Sequence, residues 1–173
     1  WLTTVLVLCA LIVAGAARVG QERRAAWTAS LIRELDEASQ SPRVEPPALA
    51  AIDSRIAAGR TRWPRDPVLP LLAPWRRTLG DVERLRVAVA VPDSELPIGP
   101  AAATLGARAA ELQERLETIR RELDAELPEA ALRASAAAGL DRLVQQLRIH
   151  RKRLSAAASR TPLPDGMRPV PAE

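Results

Sequence analysis

The chain has 173 residues, the length of one domain, and a formal net charge of +4. It contains no Phe and no Tyr, and Lys152 is the only lysine among its 25 basic residues. Any core must therefore consist mainly of Leu, Val, Ile and Ala, which favours helices packed on helices. A single histidine and a single cysteine exclude a disulfide framework and a His-based metal cluster. A nucleophilic triad is not expected, because His150 has no evident Ser and Asp partners around it in the sequence.

Residues 1–17 carry no charge and include eight Leu, Val and Ile side chains. As a helix they would extend over roughly 26 Å, slightly less than the ~30 Å hydrocarbon core of a bilayer. We therefore predict a single N-terminal transmembrane helix that anchors the chain. A cleavable signal peptide is the alternative, because Ala14-Gly15-Ala16 has the A-x-A form of a cleavage site.

Basic and tryptophan residues flank this segment, as is typical of membrane interfaces. Tryptophan is enriched at both interfaces, and an excess of Lys and Arg marks the cytoplasmic side. We predict a bacterial-type inner-membrane location with the C-terminal region in the cytoplasm; a periplasmic location is the alternative. The predicted membrane-interface residues are Trp1, Arg18, Arg23, Arg24 and Trp27.

Residues 18–40 keep a helical spacing of apolar positions and predict a helical stalk that Ser41-Pro42 ends. The following Pro-rich region, 41–100, should hold short helices. One of these is expected from Ala48 to Ala58, ended by Gly59.

Within this region, residues 63–75 contain four prolines between two tryptophans. Prolines at this density favour an extended, polyproline-like path. Such a strap could lie in a partner's groove or at a membrane interface; alternatively, its leucines could cover the protein's own helical core. The candidate partner-binding residues are Trp63, Leu69, Leu71, Leu72 and Trp75.

The stretch 78–91 starts with helical spacing and then alternates Val and Ala, which fits a strand equally well. Pro92, Pro97 and Pro100 should bound a loop.

The clearest pattern lies in residues 101–160, where apolar residues recur at the 4-3 spacing of a coiled-coil seam. Pro128 separates two such runs, which predicts a helical hairpin that zips onto itself; a kinked rod pairing with another chain is the alternative. The Pro-rich tail, 161–173, should be irregular. The main seam residues are Leu105, Leu112, Leu116, Ile119, Leu123, Leu140, Leu143, Leu147 and Leu154.

A basic run near the end of this region could bind anionic lipid headgroups or an acidic partner. It could equally be a solvated helix end whose cations complement the helix dipole. Nucleic acid is an unfavoured partner, because no aromatic stacking platform accompanies the run. The basic patch consists of Arg148, Arg151, Lys152 and Arg153.

The sequence predicts no enzyme, no cofactor site and no metal site. It has no P-loop and no G-x-G-x-x-G. Its carboxylates recur at i,i+4 from arginines, as in Glu111–Arg115 and Glu117–Arg121, which is typical of helix-surface ion pairs. His150 stands between arginines that would oppose its protonation.

Two functions fit this organisation. The first is a non-catalytic accessory or structural subunit of a multiprotein membrane complex, such as a respiratory or photosynthetic assembly. Its partners would be other membrane-protein subunits and the bilayer. The alternative is a membrane-tethered helical binding module of the cell envelope: a sensor, chaperone or coiled-coil scaffold.

Overall fold

The computed structural model describes residues 2–160, with side chains from residue 11 onward, and within this range the chain forms five helices and no strand. The prediction of a mainly α-helical fold is therefore confirmed. Trp1 and the tail 161–173, which was predicted to be irregular, lie outside the described residues. The helices are α1 (Leu2–Gln40), α2 (Pro46–Arg62), α3 (Leu69–Val89), α4 (Pro100–Glu126) and α5 (Ala130–Ala158).

Helix α1 joins the predicted anchor and the predicted stalk in one continuous helix. It ends one residue before Ser41-Pro42, as expected, and the Ser41 amide donates to the Glu37 carbonyl at 3.2 Å. The C-terminal half of α1 does not project as a stalk, however, because Leu31, Ile32 and Leu35 are completely buried. Their helical spacing gives this half a single apolar face, which packs into the bundle.

Helix α2 continues through Gly59 to Arg62, four residues beyond the predicted end. Gly59 does not end the helix; it lies where α2 approaches α1 and α3. A Cβ atom at this position would lie 2.9 Å from Nε1 of Trp27 and 3.3 Å from Leu69. The glycine therefore permits close packing of helices.

The expectation of an extended path through residues 63–75 is wrong, because α3 begins at Leu69. Pro70 lies in the first turn, where backbone amides need no intrahelical partner. Pro74 removes a single hydrogen bond from the helix interior, and burial offsets that loss: Leu69, Leu72 and Trp75 are completely buried. The leucines of the segment thus cover the protein's own core, one of the two sequence interpretations.

The ambiguous stretch 78–91 is helical as far as Val89. Leu79, Val82, Leu85 and Val89 are all buried, and their 3-3-4 spacing places them on one face of a helix. The alternation of Val and Ala after Arg86 suggested a strand, but the helical face continues through it.

Helices α4 and α5 pack as an antiparallel hairpin around the short connection 127–129. An ion pair joins Arg120 to Asp141 near the connection, and the Gly99 amide donates to the Ala157 carbonyl at the open end. All nine predicted seam residues lie in the two helices; eight are buried and Leu105 is partly buried. The hairpin therefore packs on itself rather than leaving its seam to another chain.

The remaining helices build a single core on this hairpin. The C-terminal half of α1 lies against α5, α3 lies against α4, and α2 packs on α3 and α1. Trp75 is at the centre, close to Gly139 of α5, where a Cβ atom would be 2.9 Å from the indole. The N-terminal half of α1 extends beyond this bundle.

Candidate functional site

The candidate site is the end of the bundle from which α1 emerges. We call residues 11–23 of α1 the outer segment and residues 24–40 the inner segment. In the outer segment Leu11, Ile12 and Val13 are 65%, 63% and 67% exposed. All residues from 11 to 23 are exposed, and 13 residues make more than three helical turns. No face of the outer segment is therefore buried in the bundle.

The described residues contain no helix that is long and apolar enough to cross a membrane. The predicted transmembrane helix is therefore not supported by the described residues. The prediction concerned residues 1–17, and Trp1 and the side chains of residues 2–10 lie outside the described residues.

Two tryptophans mark the point where α1 enters the bundle. Trp27 and Trp63 meet edge to face with their ring centroids 5.7 Å apart. The guanidinium of Arg55 lies 5.0 Å from the Trp27 ring centroid, a cation–π contact. Nε1 of Trp27 is buried and has no hydrogen-bond partner among the described residues. Trp27, predicted at a membrane interface, is thus partly built into the body of the protein.

Asp66 ties the connection between α2 and α3 to α1. Its carboxylate accepts hydrogen bonds from the amides of Val68 (2.8 Å) and Leu69 (3.1 Å). These amides at the start of α3 have no partner within the helix, and Asp66 supplies one. The same carboxylate is 3.4 Å from Nε of Arg24. One buried carboxylate therefore holds both the first turn of α3 and the beginning of the inner segment.

This arrangement brings the α2–α3 connection beside the outer segment. Arg62 and Trp63 share the wall of a cavity of about 410 Å³ with Gly15, Val19 and Arg23 of α1. Some 40 residues separate the two walls in sequence, so sequence reasoning assigned them to different regions.

The site contains four of the predicted interface residues, Arg18, Arg23, Arg24 and Trp27, and also Trp63 of the predicted strap. Three exposed arginines of the site were not among the predicted site residues: Arg60, Arg62 and Arg65. The available signal was the spacing Arg-x-Arg-Trp-x-Arg.

The candidate partner-binding residues differ in their exposure to solvent. Leu69, Leu72 and Trp75 belong to the core and are not accessible to a partner in this fold. Trp63 and Leu71 are partly exposed, and partner binding through them stays a prediction.

The basic patch lies on the last turns of α5, and three of its four cations, Arg148, Arg151 and Lys152, are exposed. Arg153 is used within the fold: it forms an ion pair with Asp93 and donates to the carbonyls of Val89 (3.0 Å) and Val91 (3.1 Å). Its hydrogen bond and positive charge lower the pKa of Asp93.

His150, in the same stretch, is partly buried, and its Nδ1 has no hydrogen-bond partner among the described residues. Burial, together with the charges of Arg153 and Arg86, lowers the pKa of His150. The surroundings of the imidazole therefore disfavour its protonated form.

An acidic groove of about 580 Å³ lies between α3 and α4 on another face of the bundle. Its carboxylates are partly neutralised, since Arg108 and Arg115 form ion pairs with Asp81 and Glu111. The hydrogen bond from Arg108 lowers the pKa of Glu111. Within residues 2–160 no three His, Cys, Asp or Glu side chains are placed to hold a metal ion. The four carboxylates of the groove are Asp81, Glu111, Glu114 and Glu122.

Comparison with protein-family models, curated proteins and solved structures finds no match to this chain.

Proposed function

We propose that this protein is a non-catalytic helical binding module that the apolar beginning of α1 tethers to a membrane. The observation that carries the proposal is the beginning of the outer segment, residues 11–17, which is uncharged, extends from a closed bundle and is exposed at every position. Exposed apolar surface of this extent marks a membrane or protein interaction site.

The energetics favour insertion into a bilayer. Residues 2–13 contain eight Leu, Val and Ile, and burying one such side chain contributes roughly 1.5–3 kcal/mol. The total is on the order of 10 kcal/mol, and residues 1–17 contain no charged side chain that would oppose it. An apolar face limited to one stripe would favour a protein groove, whereas an apolar circumference favours lipid.

The closed core favours a binding module over an accessory subunit that would hold its neighbours through the hairpin seam and the strap. The hairpin seam and the buried leucines of residues 69–72 are used within the fold. Among the described residues, the surfaces that remain accessible to partners include the acidic groove and the basic patch.

The test is flotation of the full chain with zwitterionic phosphatidylcholine vesicles. We expect the unmodified protein to float and the double variant Ile12→Arg/Val13→Arg to stay in the dense fraction. Val87→Arg is the matched control, since Val87 is 62% exposed on the bundle itself, and it should float. Failure of the unmodified chain to float, or flotation of the double variant, would refute the tether.

Orientation in the membrane follows from the positive-inside rule. Arg18, Arg23 and Arg24 follow the apolar segment, so we propose that the bundle faces the cytoplasm of a bacterial-type cell. A reporter fused to the C-terminus should be active only in the cytoplasmic orientation, and a periplasmic signal would reverse the assignment.

An accessory subunit of a multiprotein membrane complex, such as an energy-transducing assembly, is the second candidate. The acidic groove of about 580 Å³ favours it, because Glu114 and Glu122 form no ion pair among the described residues and could receive a basic segment of a neighbouring subunit. Purification in mild detergent followed by native mass measurement tests this candidate. A monomer without a copurifying protein would exclude it.

A further inference from the structure

The tethered end of the bundle has an unusual charge distribution. Residues 18–24 and 60–66 together contain six arginines and two carboxylates. Both carboxylates are paired: Glu22 lies 3.2 Å from Arg18, and Asp66 lies 3.4 Å from Arg24. The remaining four arginines are exposed and have no carboxylate partner among the described residues. We call these four, Arg23, Arg60, Arg62 and Arg65, the arginine collar.

Most other arginines of the bundle are used differently. Arg55, Arg76 and Arg142, for example, form ion pairs that join one helix to another. Arg60 and Arg62 lie in the last turn of α2, where they complement the helix dipole. That role accounts for a positive charge at the helix end but not for the two further collar arginines, Arg23 and Arg65, outside α2.

The collar lies at a defined height along α1. Arg62 and Trp63 line the same cavity as Gly15 and Arg23, and the eight helical steps from Gly15 to Arg23 rise about 12 Å. If the uncharged residues before Arg18 enter the hydrocarbon, the cavity spans the boundary between the hydrocarbon and the headgroups. Trp63 is then at the depth where tryptophan is enriched.

From these contacts we infer that the arginine collar binds the phosphates of anionic membrane lipids and seats the bundle on the headgroup layer. Guanidinium groups match phosphate oxygens through paired, charge-assisted hydrogen bonds. A soluble acidic protein would fit the charge but not the adjoining apolar helix. This inference rests on the proposed membrane tether and adds to it a lipid preference and the residues that determine it.

The chain provides a matched control at its other end. The basic patch lies near the end of α3, because its Arg153 donates a hydrogen bond to the carbonyl of Val89, the last residue of α3. The collar lies beside the start of α3. The 21 residues of α3 separate the two levels by about 30 Å. The collar variant is Arg60→Gln/Arg62→Gln/Arg65→Gln, and the control is Arg148→Gln/Arg151→Gln/Lys152→Gln; each removes three positive charges.

The experiment measures partitioning of the full chain onto vesicles of phosphatidylcholine alone and of phosphatidylcholine with phosphatidylglycerol. We expect the unmodified chain to prefer the anionic vesicles, and this preference to fall as salt is added. The collar variant should lose on the order of 100-fold in binding to the anionic vesicles and little on the neutral ones. The patch control should lose far less, and circular dichroism should show all three proteins equally helical.

Equal binding of the unmodified chain to both vesicle types would overturn the collar but leave the tether intact. Equal losses in the two triple variants would also overturn it, because net charge rather than position would then determine binding. Absence of binding to either vesicle type would overturn both the tether and the collar.

Discussion

The outer and inner segments of α1 belong to one helix, yet only the inner one is part of the core. Leu11, Ile12 and Val13 are each more than 60% exposed, whereas Leu31 and Leu35 are completely buried. The uncharged part of the outer segment, residues 11–17, is apolar all round, and the inner segment is apolar on a single face. The comparison shows that periodicity, more than total hydrophobicity, decides which stretch of a helix a bundle can bury.

The sharpest way to break this comparison is to truncate one leucine in each segment. Leu31→Ala should lower the free energy of unfolding by about 2–5 kcal/mol, because it leaves a cavity in a closed core. Leu11→Ala should change it by less than ~0.5 kcal/mol, as Leu11 has no packing to lose. Urea unfolding in mild detergent measures both, and equal effects would mean that the outer segment also packs on the bundle.

The contact of the inner segment with α5 can be tested at Gly139. A Cβ atom there would lie 2.8 Å from the Asp36 carboxylate of α1 and 2.9 Å from the Trp75 ring. Gly139→Ala should therefore destabilise the fold by about 1–2 kcal/mol, despite the higher helix propensity of alanine. Gly106→Ala is the control, because its Cβ would have no neighbour nearer than 3.9 Å. This change should be neutral or stabilising; a similar loss at both sites would refute the close approach.

The boundary between the two segments depends on Asp66, which caps α3 and binds Arg24. Asp66→Ala should cost about 1–2 kcal/mol of stability, through the lost cap and the unpaired arginine. Asp124→Ala is the comparison, since the Asp124 side chain is 75% exposed and lies 3.9 Å from Arg133. Its cost should stay within ~0.5 kcal/mol. Thermal unfolding distinguishes the two variants. Equal shifts in Tm would show that Asp66 does not stabilise the boundary between the two segments.

The smallest effect is expected far from α1, at His150. Because the folded state lowers the pKa of His150 below its ordinary value of 6.5, the unfolded chain takes up a proton that the folded one does not. The free energy of unfolding should therefore fall as pH decreases below about 6.5. Above that pH the histidine is neutral in both states and does not lower stability. His150→Gln should flatten that region of the pH profile of unfolding. An unchanged profile would show that the histidine is not held neutral.

The helical class and the hairpin could be predicted from the sequence, because the 4-3 spacing of Leu112, Leu116, Ile119 and Leu123 is a local signal. Pro128 located the break between α4 and α5 for the same reason. The segment 63–75 could not be predicted, since its prolines indicate an extended path. Only the burial of Leu69, Leu72 and Trp75 in a core supplied by other helices makes α3 favourable there.

Of the candidate site, the sequence by itself determined the uncharged beginning of α1 and the arginines that follow it, because composition along a single helix needs no partner to be recognised. Only the tertiary structure decided that Arg60, Arg62 and Trp63 stand beside that helix. The close approach of α2 to α1 at Gly59 and the carboxylate of Asp66 bring them there. These contacts join residues 32 positions apart (Trp27 and Gly59) and 42 positions apart (Arg24 and Asp66), and no periodicity within either segment encodes them.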